Sequence, residues 1–151
     1  MKLCGDEHIS PKILRAIREI ARPKGCEILS VYDLNMNGLE DETWISKFIA
    51  QGGTGFISGD RQMLKRDALV KQIKTTGIIA VFMPSEYASA KRIWQAAHMM
   101  FWWSKIHLTF ETAERGSIWT VPKDFGNNQL NPYVQRIRKS ERARLNIKET
   151  A

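Results

Sequence analysis

The sequence has little cysteine and no long apolar run, and these two absences narrow the classes of protein it can encode. Of its 151 residues, two are cysteine, Cys4 and Cys26. They are too few and too far apart for a zinc-binding pattern, so we expect both to be reduced and buried. No apolar stretch approaches the roughly 18 residues that a membrane-spanning helix needs, so we expect no membrane association.

The first residues also lack the apolar stretch of a secretion signal, because Asp6, Glu7 and His8 stand where it would lie. We therefore expect a cytoplasmic protein. What the sequence has in excess is positive charge, with 23 Lys and Arg against 16 Asp and Glu and a net charge of +7. A basic protein favours anionic partners such as nucleic acid.

The positive charge is concentrated near the end of the chain, where residues 135–148 contain six Arg or Lys and the single acid Glu141. Two interpretations are open. The segment is either a solvated terminal helix whose charges aid solubility, or a tail that binds phosphate or a protein partner. Residues 126–129, with the sequence Gly-Asn-Asn-Gln, read as a linker into this tail.

Strand patterns and helix patterns alternate along the chain. Strand-like runs lie near residues 3–5, 27–32, 56–57, 78–82 and 117–121, and helical spacing of apolar residues covers 11–21, 41–51, 61–75 and 85–113. The unbroken apolar run at 78–82 is typical of a central parallel strand that is buried on both faces. The alternation predicts an α/β fold with a mainly parallel central sheet covered by helices on both sides.

Acidic residues follow two of these strands and begin one helix. Asp6 ends the first strand, Asp60 follows the third, and Asp41 and Glu42 open the second helix. Open α/β sheets bind ligands at the carboxyl ends of their strands, so Asp6, Asp41 and Asp60 are candidate ligands of a hard cation such as Mg²⁺. Such an ion would activate water beside a scissile phosphate. The alternative is structural, with Asp41 and Asp60 as helix caps and Asp6 as a loop acid.

Basic residues follow the third-strand acid closely. Arg61, Lys65 and Arg66 are candidates for holding the phosphates of a polyanionic substrate, and a solvated helix face is the alternative. Farther on, Trp102 and Trp103 are adjacent on one predicted helix and cannot both face the same way. We therefore expect one of them to be partly exposed, which makes a homodimer a candidate assembly.

Taken together, these residues resemble the PIN-like domains, especially the toxin branch related to VapC ribonucleases. The matching stretches follow the family's order over about residues 1–125: Asp6–Pro11, Tyr32–Leu34, Glu40–Trp44, Phe56–Arg61 and Trp119–Pro122. The resemblance implies two regions, a PIN-like domain at 1–125 and a linker with a basic tail at 126–151. It also implies a three-layer α/β/α sandwich.

The same resemblance implies a metal-dependent endoribonuclease that hydrolyses RNA phosphodiester bonds with Mg²⁺ or Mn²⁺ and is held silent by an antitoxin protein. Asp6 would be the first-strand acid, Asp41 or Glu42 the helix-start acid, and Asp60 the acid after the third strand. The family often writes the last motif as Thr-Arg-Asp followed by a second acid. Here it reads Ser-Gly-Asp at 58–60, and Gln62 stands where the second acid is expected.

Two alternative functions remain. A non-catalytic PIN-like module would keep the fold and the basic surface and bind nucleic acid or protein without cleaving it. A phosphoacceptor receiver-like domain would use an acid pair after the first strand, Asp60 after the third and Ser85 after the fourth. Against the receiver, Lys123 follows its proline instead of preceding it.

Overall fold

The computed structural model describes residues 1–134, which form a single mixed sheet with helices on both faces. The strands are β1 (Lys2–Gly5), β2 (Glu27–Ser30), β3 (Gly55–Ser58), β4 (Ile79–Phe82), β5 (Ile118–Thr120) and β6 (Asn131–Pro132). The α-helices are α1 (Pro11–Ala21), α2 (Asp41–Ala50), α3 (Asp67–Thr76) and α4 (Arg92–Thr112). Two short 3₁₀ helices cover Arg61–Lys65 and Ser85–Tyr87.

The order of strands places the predicted acids at one point of the sheet. The order is β2-β1-β3-β4-β5-β6; the first five strands are parallel, and β6 is antiparallel to β5. The chain moves outward from β1 in one direction to β2 and in the other direction to β3. In open α/β sheets this reversal opens a crevice at the carboxyl ends of the two central strands. Asp6 directly follows β1 and Asp60 comes two residues after β3, so both lie beside that crevice.

The core is divided between the two faces of the sheet, which confirms the predicted three-layer α/β/α fold. Successive strand residues point to opposite faces. In β4, Ile79 and Val81 join the core on the side of α1 and α4, while Ala80 and Phe82 join the core on the side of α2 and α3. This is why the strand reads as an unbroken apolar run in the sequence.

Local chemistry sets where α1 begins. The Ser10 side chain accepts a hydrogen bond from the Lys12 backbone N–H at 3.3 Å, and Pro11 stands at the first helical position. Proline fits there because its missing N–H would have no partner within the helix. The helix then buries Ile13, Leu14 and Ile17 against the sheet, as the spacing predicts.

Two predicted helices begin later than expected. The single helix predicted over 61–75 is a 3₁₀ helix followed by α3, because Arg66 has extended dihedral angles (φ −96°, ψ 105°) that separate the two. The helix predicted from Ser85 begins at Arg92 instead, after the short 3₁₀ turn and a loop. Both corrections fall on the edge of the sheet that carries the acids.

The prediction that either Trp102 or Trp103 is partly exposed is wrong. Trp102 is 0% exposed and Trp103 is 6% exposed. Adjacent helical residues point in different directions, but α4 is covered on more than one side. The segment after β5 packs over it, and the Trp102 indole N–H donates to the Asp124 carbonyl at 2.9 Å. The homodimer stays a prediction.

Both cysteines are free, as predicted, with Cys4 buried and Cys26 partly buried. None of the helices within residues 1–134 combines the length and apolar character needed to cross a membrane. Beyond residue 125, the chain adds β6 to the sheet edge and buries Leu130. The division at residue 125 stays a prediction, and the basic segment 135–148 lies outside the described residues.

Candidate active site at the carboxyl edge of the sheet

Asp6 is the most buried acid at this edge, with 2% of its surface exposed. One carboxylate oxygen, Oδ1, accepts hydrogen bonds from the backbone N–H groups of His8 at 3.0 Å and Gly59 at 3.3 Å. The other, Oδ2, accepts a hydrogen bond from the Ser58 hydroxyl. A buried carboxylate needs such partners because it has lost its water. The side chain is therefore held in one orientation by the turn after β1 and by the end of β3 with the residue that follows it.

Burial sets the proton affinity of this group. It raises the pKa of the Asp6 carboxyl to about 6, because removal from water penalises the charged form. The Ser58 hydroxyl, the charge of His8 and the two backbone donors act in the opposite direction and offset part of this effect. A carboxyl with a pKa near neutrality can both hold and release a proton under ordinary conditions, which is a property of acid–base catalysts.

Ser58 connects the buried acid to the second one. Its hydroxyl donates to Asp6 and accepts the backbone N–H of Asp60 at 3.0 Å. The Asp60 side chain is 30% exposed; its Oδ1 accepts the Gln62 N–H at 2.9 Å, and its Oδ2 lies 3.7 Å from His8 Nε2. Asp60 thus caps the 3₁₀ helix and also faces solvent beside His8.

Close packing between two loops requires glycine at position 59. A Cβ atom added there would lie 2.9 Å from the Cβ of His8 and 3.1 Å from its carbonyl oxygen. The absence of a side chain lets the turn after β3 approach the turn after β1. This approach brings the Gly59 N–H within reach of Asp6.

Asp41 and Glu42 form a separate cluster with Arg66. The Arg66 guanidinium contacts Asp41 Oδ2 at 3.1 Å through Nη1 and Glu42 Oε1 through Nη2. Asp41 Oδ1 also accepts the indole N–H of the buried Trp44 at 3.1 Å. These contacts tie the start of α2 to the residue that precedes α3.

The three basic candidates have different environments. Arg61 donates from Nε to the Met83 carbonyl at 2.8 Å and from Nη2 to the Val121 carbonyl at 3.2 Å, so it joins the ends of β4 and β5. Arg66 is the partner of Asp41 and Glu42, while Lys65 is exposed. Their role as phosphate-binding residues stays a prediction.

Mg²⁺ and Mn²⁺ prefer carboxylate oxygens, and they need those oxygens to converge. Over residues 1–134, no group of three or more His, Cys, Asp or Glu side chains is arranged to hold a metal ion. Asp6 is engaged by three donors, and Asp41 already has a cationic partner. As arranged here, the described side chains do not fit the three-acid metal site that the sequence predicts. The ion stays a prediction from the resemblance.

Residues 1–85 match the family model for the PIN-like domain. The chain belongs to the PIN-like domain family. The matched segment runs from β1 to just beyond β4 and contains all four predicted acids, whereas α4, β5 and β6 lie outside it. No curated protein and no solved structure matches the chain. Membership in the PIN-like family suggests nuclease activity in general terms.

Two residues of this PIN-like site were not among the sequence-predicted site residues. Ser58 is fully buried in a strand whose other members are apolar or glycine, and a buried hydroxyl in such a strand is the signal that marks it. His8 contacts both acids, through its backbone N–H to Asp6 and its ring to Asp60. Its position two residues after Asp6 indicates that it could line the same pocket, whereas its contact with Asp60 depends on how two loops pack.

Proposed function

We propose that this PIN-like domain is a nuclease that hydrolyses RNA phosphodiester bonds at the crevice between β1 and β3. One observation carries the proposal. The buried Asp6 is linked through the Ser58 hydroxyl to the partly exposed Asp60, at the point of the sheet where open α/β folds bind ligands. The net charge of +7 supports an anionic substrate.

The two acids would have different roles in hydrolysis. Asp60 is open to solvent and is the acid that would accept a proton from the attacking water as the water oxygen bonds to phosphorus. The bond from phosphorus to the leaving oxygen breaks, and that oxygen takes a proton from solvent. Asp6 is too enclosed to reach bulk water freely. It would position Ser58 and the turn that carries Asp60, and so keep the general base in place.

The finer proposal is a toxin of the VapC type that is silenced by an antitoxin protein. It is supported by the order of the motifs around the acids and by the basic composition of the chain. Induced expression of the wild-type chain in a bacterial host should arrest growth, and the Asp60→Asn variant should not. Equal growth with both proteins at matched expression would remove the toxin role and leave the nuclease proposal standing.

A second candidate is a PIN-like module that binds RNA without cutting it. The pairing of Asp41 and Glu42 with Arg66 favours this candidate, because it removes two acids from the set that the sequence predicts for catalysis. Such a module would retain the fold and the positive charge, and its RNA binding would not depend on Asp60.

Cleavage of a labelled single-stranded RNA separates the two candidates. Wild type, Asp60→Asn, Ser58→Ala and the control Glu27→Gln should be compared with Mg²⁺, with Mn²⁺ and with EDTA. Glu27 is an exposed acid at the opposite edge of the sheet, so its variant should cleave like wild type. Asp60→Asn should lose about a hundredfold or more, the usual contribution of a general base.

Equal cleavage by wild type and Asp60→Asn would contradict the nuclease assignment. Binding of RNA without cleavage under any of the three conditions would favour the binding module. Cleavage that persists in EDTA would keep the nuclease and remove the metal requirement, whereas cleavage that needs Mg²⁺ or Mn²⁺ would support the predicted cofactor.

A further inference from the structure

A second recess opens beside the acids, between the starts of α1 and α4 and the turn after β2. It has a volume of about 390 Å³, within the range of small-molecule binding pockets. The residues that line it are mostly polar and include Glu7, His8, Ser10, Tyr32, Arg92 and Gln95. Arg92 and Gln95 lie beyond residue 85, outside the segment that matches the family model.

Arg92 supplies a cation that is anchored and still has donors to offer. Its Nη1 donates to the Ser10 hydroxyl at 2.6 Å, which orients the guanidinium toward the start of α1. A guanidinium carries several further N–H donors in a fixed plane, and that geometry matches phosphate oxygens. Arg92 is exposed, so its remaining donors can reach a ligand in the recess.

Tyr32 contributes an aromatic side chain to the lining of the recess. It lies two residues after the end of β2 and is 44% exposed. Its backbone N–H donates to the Ser30 hydroxyl at 3.1 Å, which holds the turn at the end of the strand. An exposed ring on a held turn is the kind of surface on which a nucleic-acid base stacks.

The recess is continuous with the acidic site. His8 lines the recess, and its ring nitrogen lies 3.7 Å from the Asp60 carboxylate. The recess therefore borders the acidic site at His8.

One acid lines the recess, and its carboxylate already accepts a hydrogen bond. Glu7 accepts a hydrogen bond from the Gly38 N–H through Oε1, on the loop after β2. Its charge would repel a phosphate from that side. A phosphate in the recess would therefore lie on the Arg92 guanidinium, and the base would pack on the Tyr32 ring.

We propose that this recess binds one nucleotide of a single-stranded RNA, with its phosphate on the Arg92 guanidinium and its base stacked on Tyr32. The proposal rests on the proposed function and extends it, because it places the strand next to the crevice where Asp60 would act. His8 stands at the junction between the bound nucleotide and the acids.

The test is binding of a fluorescently labelled single-stranded RNA of about eight nucleotides to the full chain carrying Asp60→Asn, which keeps the RNA intact. In that background, Tyr32→Ala should weaken binding about tenfold, whereas Tyr32→Phe should bind like the parent because it keeps the stacking face. Arg92→Gln should also weaken binding about tenfold. It should reduce the slope of log affinity against log salt by about one, as expected for one lost phosphate contact.

Arg115→Gln is the matched control, since Arg115 is an exposed arginine that precedes β5 at the opposite edge of the sheet. It should leave both affinity and salt slope nearly unchanged. Photo-crosslinking of the parent protein to an oligonucleotide containing 4-thiouridine should map to the peptide that carries Tyr32. This readout does not depend on how any recess variant folds.

Equal losses for Arg92→Gln and Arg115→Gln, or crosslinks that map away from Tyr32, would overturn the nucleotide site. Absence of RNA binding would overturn it as well. The nucleotide site can be rejected or supported independently of the nuclease. If the Tyr32 and Arg92 variants cleave RNA as fast as wild type does, only the recess is rejected. If RNA binding depends on both residues but no cleavage occurs, the recess is supported and the nuclease is rejected.

Discussion

Two acidic clusters lie at the same edge of the sheet, and they are stabilised in opposite ways. Asp6 is 2% exposed, and its donors are two backbone N–H groups and a hydroxyl. Asp41 and Glu42 have side chains 30% and 33% exposed, and their partner is the charged Arg66. The Arg66 guanidinium balances the charges of the two surface acids. The neutral donors around Asp6 fix its orientation, and burial still keeps its pKa raised. The buried cluster is therefore the one suited to chemistry.

Removal of each acid should give the largest difference in stability between the two clusters. Asp6→Ala leaves the backbone N–H groups of His8 and Gly59 without their acceptor and removes one acceptor of the buried Ser58 hydroxyl, so it should lower the free energy of unfolding by about 3 kcal/mol. Asp41→Ala should lower it by about 1 kcal/mol, because water can replace the carboxylate at Arg66 and the main loss is the partner of the Trp44 indole. Urea denaturation measures both values. Equal losses would mean that burial does not distinguish the clusters.

The next largest effect should be the pH dependence of stability that the buried Asp6 causes. The pKa of Asp6 rises from 3.8 to about 6 in the folded protein, so the folded state binds this proton more tightly than the unfolded state. The resulting stabilisation is fully present below pH 4 and is lost as pH rises through about 6. Urea denaturation from pH 4 to 7 should show this decline in wild type and in Glu27→Gln, and a weaker decline in Asp6→Asn. An identical decline in all three proteins would assign the effect to other groups.

The surface cluster should give the smallest effect. Arg66→Gln should lower the free energy of unfolding by less than about 1 kcal/mol. The side chains of Arg66, Asp41 and Glu42 are 47%, 30% and 33% exposed, so solvent screens their charges. The cost should shrink further in 1 M NaCl, where the screening length is only about 3 Å. Thermal unfolding at low and high salt checks both points. A loss above about 2 kcal/mol that ignores salt would show that the cluster behaves as a buried ion pair.

Sequence reasoning predicted the order of elements well and their starting points less well. The periods of apolar residues identify β4 and α1, because these elements bury one or both faces and their composition records it. The late start of α4 at Arg92 and the extended Arg66 before α3 leave no such mark. The residues at these boundaries contact distant segments, as in the bonds from Arg66 to Asp41 and from Arg92 to Ser10.

The same distinction applies to the candidate site. Strand-end positions predicted that Asp6 and Asp60 would share an edge, since parallel strands have their carboxyl ends on one side. The structure adds the Ser58 bridge between them and the pairing of Asp41 with Arg66, a residue 25 positions away. No local pattern predicts a pairing of that kind, because it arises only when α2 and the start of α3 pack side by side.

Four features were predictable from the sequence alone: the α/β alternation, the PIN-like motifs, the basic charge and the placement of two acids at strand ends. These features follow from hydrophobic periodicity and from residue types, which are local properties of the chain. Only the tertiary structure decided which acid is buried, which is paired with arginine, and that Tyr32 and Arg92 face one recess. The physical reason is that burial, proton affinity and ion pairing depend on neighbours that are distant in sequence, and folding alone brings those neighbours together.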